Sequence, residues 1–231
     1  MSQTVGAKNV LLLAAILAAA VAHPGSADTV PSAGLPAWRV GGYLGVANNS
    51  PDGDSWGVIP DRDHYFVGLT GSAPVLRWWR VTLAYAPEVV PALIITKNPK
   101  YTTAVRPVNG RPTRVQVEQG SGSVYGAGFS PFGLELSTRV SPSWNLYASS
   151  AIGALWFTRE VPIANSRDFN YTWELGGGLL WEYRPGRFIR AGYMFHHLSN
   201  LDSRPENPGL DGNVIHLGWQ YTFTPRDRSG S

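Results

Sequence analysis

The sequence has no cysteine, few charges and, beyond its first two dozen residues, no long hydrophobic run. Without cysteine the chain has no disulfide, no thiolate metal site and no cysteine nucleophile. Charged residues make up 15% of the 231 positions, and the net charge is +3. That balance falls far short of the concentrated basic surface of a nucleic-acid-binding protein. We therefore expect no nucleic-acid partner, and the chemistry considered below requires no metal and no organic cofactor.

The missing hydrophobic runs constrain how the chain meets a membrane. No segment after residue 22 reaches the roughly 18 consecutive apolar residues of a membrane-spanning helix. The one apolar run, Val10 to Ala22, follows Lys8 and has 13 residues, which is typical of the core of a secretory signal. We predict a signal peptide at residues 1–22, with cleavage after residue 27 as an alternative, and a linker at 23–36. The mature chain is then either periplasmic or a barrel in a bacterial outer membrane.

What the sequence has in abundance is glycine (26 residues), tryptophan (9) and tyrosine (10). This composition favours β-structure with many turns and aromatic rims. Polar and apolar residues alternate along most of the mature chain, and no segment resembles an amphipathic helix. We predict eight strands, at residues 37–48, 63–71, 75–90, 122–139, 143–158, 169–184, 187–199 and 212–223.

The links between these strands alternate in length. Short turns are expected at residues 71–74, 141–143 and 185–186, and long links at 48–62, 91–121, 159–168 and 200–211. Short turns at one rim and long loops at the other are typical of outer-membrane barrels, whose turns face the periplasm. The predicted fold class is all-β, an eight-stranded antiparallel transmembrane β-barrel over residues 37–223, with a C-terminal tail at 224–231.

The alternation within the strands indicates which face meets lipid. In the sixth strand Tyr171, Trp173 and Leu175 share one face, whereas Thr172 and Glu174 share the other. In a membrane barrel the apolar set faces lipid and the polar set fills the interior. A soluble, lipocalin-like barrel would reverse the two faces, but rows of large aromatic residues near the strand ends argue against it. Four charges are expected to pair inside the barrel: Glu174, Glu182, Arg190 and Arg80.

Three residue types that form a serine hydrolase site lie where the seventh strand ends and the eighth begins. His197 and Ser199 are two positions apart, so their Cβ atoms lie about 7 Å apart on one side of the strand. An imidazole there can accept the serine proton. In a symmetric hairpin Asp211 falls opposite Ser199 and diagonal to His197, where it can hold the second ring nitrogen. The alternative is that the histidine and serine are ordinary interfacial residues.

These residues belong to two short motifs, His197-Leu198-Ser199-Asn200 and Asn207-Pro208-Gly209-Leu210-Asp211. The motifs resemble those of the outer-membrane lipid A deacylases of the PagL type, which are eight-stranded barrels with a lipid-facing His-x-Ser-Asn motif on the seventh strand. The resemblance implies that Ser199 is the nucleophile, His197 the general base and Asp211 the orienting acid. It also suggests Asn207 as an oxyanion donor, with Asn200 and Gly209 as further substrate-positioning residues. Asp211 departs from the family pattern, in which Glu is the better-known acid.

The predicted function is an outer-membrane serine esterase that removes an ester-linked acyl chain from lipid A. Its substrate would be lipid A or lipopolysaccharide, with the active site at the outer leaflet among outer-membrane lipid. Two alternatives are an outer-membrane phospholipase and a non-enzymatic structural or adhesive barrel. Whether the protein forms a homodimer stays open.

The second long link is basic. It carries five cationic residues and almost no acidic ones: Lys97, Lys100, Arg106, Arg111 and Arg114. Such a segment either contacts the phosphates of an anionic glycolipid through charge-assisted hydrogen bonds or is simply solvated.

Overall fold

A computed structural model of the protein describes residues 37–48, 50, 56–109 and 111–223. The predicted signal peptide, linker and C-terminal tail lie outside these residues. Within the described residues the chain forms nine strands, and no helix there is long and apolar enough to cross a membrane. The strands are β1 Trp38–Ala47, β2 His64–Trp78, β3 Val81–Tyr85, β4 Glu88–Val108, β5 Arg111–Ser141, β6 Trp144–Val161, β7 Arg167–Arg184, β8 Arg187–Ser199 and β9 Leu210–Phe223.

The strands close into a ring of eight positions. β1 pairs with β2 on one side and with β9 on the other, and all pairings are antiparallel. β3 and β4 share one position, because both lie between β2 and β5. They are separated at Ala86 and Pro87, where the Ala86 amide still donates to the Gly133 carbonyl at 2.8 Å. The predicted eight-stranded antiparallel barrel is thus confirmed, and closure removes the exposed strand edges that an open sheet would have.

One predicted turn is wrong. Residues 71–74 lie inside β2, and the chain turns instead at Trp79 and Arg80, where Trp79 has a positive φ of 53°. Gly-Ser-Ala-Pro has the composition of a turn, but Pro74 is accommodated at a shift in strand register, a position where a missing amide is tolerated. Residues 75–78 therefore extend the second strand. The other two short turns lie where they were predicted.

The predicted link at residues 91–121 is also mostly strand. β2 stops pairing with β4 at Ile95, and β6 stops pairing with β5 at Gly126. Beyond these points β4 and β5 pair with each other as far as Val108 and Arg111. They form a two-stranded ribbon that projects from the long-loop end of the barrel. Asn109, at its tip, has a φ of 52°, a left-handed conformation that asparagine adopts more readily than most residues.

The two faces of the barrel differ in polarity as predicted. β9 exposes Ile215, Leu217 and Trp219 and buries His216 and Gln220 in the interior. Polar residues inside and aromatic residues outside are the arrangement of a membrane barrel and the reverse of a soluble one. The interior of such a small barrel is filled by side chains.

Of the four charges expected to pair inside the barrel, Glu174 and Arg190 are buried, whereas Glu182 and Arg80 are not, and each of the four has a partner outside this set. Glu135, on β5, accepts hydrogen bonds from Arg190 at 2.6 Å and from Arg39. Glu182 pairs with Arg139 at 3.2 Å, Glu174 lies 3.8 Å from His196, and Arg80 stacks over the ring of Trp79. Because partners in a barrel reach each other across the interior, the sequence of one strand does not identify them.

Candidate active site

The predicted catalytic residues lie together at the long-loop end of the barrel. His197 and Ser199 are in the last three residues of β8, and Asp211 is the second residue of β9. The two strands pair so that Asp211 lies directly opposite His197. Its expected place opposite Ser199 is therefore wrong by two residues, because the connecting segment is not symmetric. A shift of two keeps every side chain on its face, so the three residues still share one face.

A short hydrogen bond joins the histidine to the acid. His197 Nδ1 and Asp211 Oδ1 are 2.6 Å apart. An ionised carboxylate can only accept, so the ring nitrogen donates, and a neutral His197 then has its unprotonated nitrogen at Nε2. The other oxygen of Asp211 accepts from the amide of Gly57 at 3.0 Å. The carboxylate is nearly buried, with 4% of the residue exposed, and is held at both oxygens.

Gly57 belongs to a short segment, residues 56–58, that lies over the site. The amide of Val58 donates to the carbonyl of Pro208 at 3.0 Å, which fastens this segment to the loop before β9. The indole of Trp56 stacks on Trp173 at 4.8 Å and meets the ring of His197 edge-on at 5.6 Å. We call residues 56–58 the roof segment. Its tryptophan ring restricts the movement of the imidazole.

Two glycines allow the roof segment to approach so closely. A Cβ on Gly57 would lie 2.8 Å from Asp211 Oδ1, and one on Gly209 would lie 2.6 Å from the carbonyl oxygen of Trp56. Gly209 also has a φ of +66°, which other residues rarely adopt. Gly209, predicted to position the substrate, therefore makes room for the backbone that supports the acid.

The nucleophile candidate has its hydrogen bonds within its own loop. Ser199 Oγ lies 3.1 Å from Asn207 Nδ2 and 3.2 Å from Asn207 Oδ1, and it accepts from the Leu201 amide at 3.1 Å. Between the described side chains of Ser199 and His197 there is no hydrogen bond. The hydroxyl of Ser199 is instead engaged by Asn207 and by the Leu201 amide.

The two asparagines of the motif hold the loop that carries Ser199. The side chain of Asn200 is buried and donates to the carbonyl of Glu206 at 2.8 Å. Asn207 Oδ1 accepts from the amide of Asn200 at 2.9 Å, and Asn207 Nδ2 also reaches Asp202 at 3.0 Å. Of the two, Asn207 is the one whose amide group touches the serine oxygen.

Sequence reasoning missed the roof segment. Trp56 and Gly57 lie in the first long link, and the contact between Gly57 and Asp211 joins residues 154 positions apart. Nothing in the local pattern around residue 56 indicates a partner on the last strand. The only available signal was a tryptophan next to a glycine in a link otherwise poor in large apolar residues.

Known proteins with a similar sequence or fold identify a family. A sequence profile described as lipid A 3-O-deacylase (PagL) matches residues 100–220, which are 121 of the 231 residues and include His197, Ser199 and Asp211. Among solved structures, the outer membrane enzyme PagL is similar at 13% identity with a TM-score of 0.52, over 79% of this chain and 99% of that one. Neisserial surface protein A matches at 9% identity with a TM-score of 0.49, over 80% and 97%. At such identities a structural likeness shows the fold alone. A search of curated proteins gave no match.

Proposed function

The chain belongs to the lipid A 3-O-deacylase (PagL) family, and on that premise we propose that Ser199, His197 and Asp211 carry out the hydrolysis. Membership makes the protein an outer-membrane β-barrel esterase with lipid A as its substrate. The family, the fold class, the enzyme class and the localisation predicted from the sequence are thereby confirmed. The roles of individual residues are our proposal, and the observation that carries it is the 2.6 Å hydrogen bond between His197 and Asp211.

In the proposed mechanism Asp211 fixes the tautomer of the histidine. Its carboxylate accepts the proton of His197 Nδ1, so that Nε2 presents a lone pair. Ser199 turns away from Asn207 and gives its hydroxyl proton to Nε2 as its oxygen attacks the ester carbonyl. Asp211 also stabilises the imidazolium that forms in this step.

The second half of the reaction returns the proton. As the tetrahedral intermediate collapses, the bond from the carbonyl carbon to the sugar oxygen breaks. That oxygen takes the proton from His197, and the acyl chain stays on Ser199. A water molecule then attacks the acyl-enzyme with His197 as general base, which releases the fatty acid and restores the serine hydroxyl.

Asn207 is proposed as the oxyanion donor. Its Nδ2 lies 3.1 Å from Ser199 Oγ, so when that hydroxyl turns to His197 the Nδ2 group is freed beside the site and can donate to the oxyanion of the tetrahedral intermediate. A hydrogen bond aimed at the developing charge is worth about 3–4 kcal/mol in comparable sites. The Asn200 amide supports this role, because it holds Asn207 Oδ1 at 2.9 Å and thereby orients the Nδ2 group.

Family membership favours lipid A over phospholipid and an enzyme over a structural or adhesive barrel. A homodimer stays a proposal, which chemical cross-linking in native outer membranes would test. Positions 1–22 as a signal peptide and 224–231 as a tail stay proposals as well.

The test of the proposed residues is mass spectrometry of lipid A from cells that express the wild type or one of two variants, Ser199→Ala and His197→Ala. Both variants should lose nearly all deacylation, because the first lacks the nucleophile and the second the base. Heat-modifiable gel migration should show that both still fold. A folded Ser199→Ala protein that still releases the acyl chain would show that another group is the nucleophile.

A further inference from the structure

A second concave site lies at the long-loop end of the barrel, outward of Ser199. It is a cavity of about 540 Å³ between the base of the ribbon, the connection from β6 to β7, and the loop after β8. Lys100 contributes from the ribbon, Arg159 and Arg167 from the two ends of the connection, and Arg204 from the loop. The site combines elements from three distant parts of the sequence.

The charge of this cavity is predominantly positive. Four cationic side chains line it, against the two carboxylates of Glu160 and Asp168. The Glu160 carboxylate is already engaged, because it accepts from the amide of Asn165 at 3.1 Å. Within the described residues, neither Lys100 nor Arg204 has a carboxylate partner within 4 Å. Two cations that form no ion pair with a described carboxylate thus line one concave surface.

Two buried donors on the wall of the cavity have no partner among the described residues. Ser166 is only 2% exposed, and its hydroxyl forms no hydrogen bond. Arg159 Nε also forms no hydrogen bond. The Nη2 group of the same residue donates to the carbonyls of Gly122 at 3.1 Å and Ser123 at 3.0 Å. Buried donors are nearly always hydrogen-bonded, and each one left unpaired costs about 1–3 kcal/mol. Both donors suit an acceptor with several oxygens.

The cavity is connected to the active site through one loop. Arg167 Nη1 donates to Ser203 Oγ at 3.0 Å, and the Ser203 amide donates to the carbonyl of Asn200 at 3.2 Å. Tyr171 pairs with Ser199, and Arg167 lies four residues further out on the same strand, or about 13 Å along it. A lipid with its ester at Ser199 can therefore place its headgroup over the cavity.

We propose that this cavity binds a phosphate group of the lipid A headgroup, an inference that rests on the proposed function. A phosphate offers three terminal oxygens. They match the ammonium of Lys100, the guanidinium of Arg204 and the hydroxyl of Ser166, and charge-assisted bonds of this kind are the strong ones. Phosphate binding would orient the sugar and hence select which ester reaches Ser199. The same donors would take free inorganic phosphate.

The test measures binding to the Ser199→Ala protein in detergent micelles, so that substrate is not consumed. The probes are phosphorylated lipid A and the same lipid A after phosphatase treatment. Three further changes are made in that background: Lys100→Gln with Arg204→Gln, Ser166→Ala alone, and Arg111→Gln as the matched control. Arg111 is cationic and lies on the same ribbon, but at its exposed tip and outside the cavity.

The double variant Lys100→Gln with Arg204→Gln should bind phosphorylated lipid A about 10- to 50-fold more weakly, and Ser166→Ala should bind it about 5-fold more weakly. Neither change should alter the affinity for the dephosphorylated lipid much. Arg111→Gln should leave both affinities unchanged. If Arg111→Gln weakened binding as much as the cavity variants do, the proposal would be overturned in favour of diffuse charge attraction. Equal affinity of the Ser199→Ala protein for phosphorylated and dephosphorylated lipid A would also overturn it. Heat-modifiable migration identifies any variant that fails to fold. If the double variant fails to fold, the affinity of the Ser166→Ala protein, which lacks only one oxygen, tests the proposal in its place.

Competition with inorganic phosphate separates the two sources of the ligand. If millimolar phosphate displaces lipid A, the cavity recognises the phosphate group itself. If millimolar phosphate does not displace lipid A, but the cavity variants still weaken its binding, the cavity recognises the phosphate as part of the headgroup. The two proposals also fail separately. Preferential binding of phosphorylated lipid A by a protein whose wild type releases no fatty acid would refute the proposed function alone. Hydrolysis by the wild type with equal KM for both lipids would refute the phosphate site alone.

Discussion

Replacing Gly57 by alanine tests whether the roof segment positions the catalytic acid. A Cβ at this position would lie 2.7 Å from the Asp211 amide nitrogen and 2.8 Å from the carboxylate carbon and Oδ1. Real Cβ atoms do not approach so closely, so either the roof segment or the carboxylate must move. In both cases the 3.0 Å hydrogen bond from the Gly57 amide to Asp211 Oδ2 is lost.

The size of the effect follows from that hydrogen bond. A bond to a buried charged group contributes about 1.5–3 kcal/mol, and its loss in the transition state corresponds to a fall in kcat of about 10- to 150-fold. We expect KM to change little, because Gly57 touches the acid and not the nucleophile. The assay is the initial rate of fatty acid release from lipid A in micelles, with heat-modifiable migration to show that the barrel is intact.

The matched control is Gly71→Ala. A Cβ there would meet only Pro87, at 3.7 Å or more, which is an ordinary contact. This variant should retain wild-type kcat, so that a general effect of alanine in place of glycine is excluded. A folded Gly57→Ala protein with unchanged kcat would refute the view that the roof segment positions Asp211.

Three further predictions concern the acid, the topology and processing. Asp211→Asn should lower kcat by no more than Ser199→Ala does, because an orienting acid alone often contributes less than nucleophile or base; a larger loss would mean that the barrel is damaged. An epitope inserted near residue 110, at the tip of the ribbon, should be labelled on intact cells, and labelling only after permeabilisation would show the opposite orientation. N-terminal sequencing of membrane-extracted protein should begin near His23 or Asp28, and Met1 as the first residue would contradict a cleaved signal.

The features predicted correctly from the sequence are those that depend on local alternation. A strand places successive residues on opposite faces, so the outward rows of β7 and β9 follow from the sequence without knowledge of the partners. The shared face of His197 and Ser199 follows in the same way. The sequence therefore identified the candidate site, although its register was set two residues away from the observed one.

The features that sequence reasoning missed depend on distant parts of the chain. Pro74 looks like part of a turn until the register shift opposite β3 accommodates it. The ribbon looks like a loop because its strands have no barrel neighbours beyond Ile95 and Gly126, and hence no apolar face to reveal them. The contact between Gly57 and Asp211 has no local signal at either end.

The length of the acid and the register of the two strands are linked. Directly opposed residues in an antiparallel pair have Cβ atoms about 4.5–5.5 Å apart, whereas diagonal neighbours are about 7–8 Å apart. At the shorter separation an aspartate reaches His197 Nδ1 at 2.6 Å, whereas at the diagonal position it would need the extra methylene of a glutamate. The roof segment closes the remaining space, since Gly57 lies against the carboxylate. Aspartate in place of the better-known glutamate is therefore consistent with this register and with a glycine at position 57, and the three features form one structural unit.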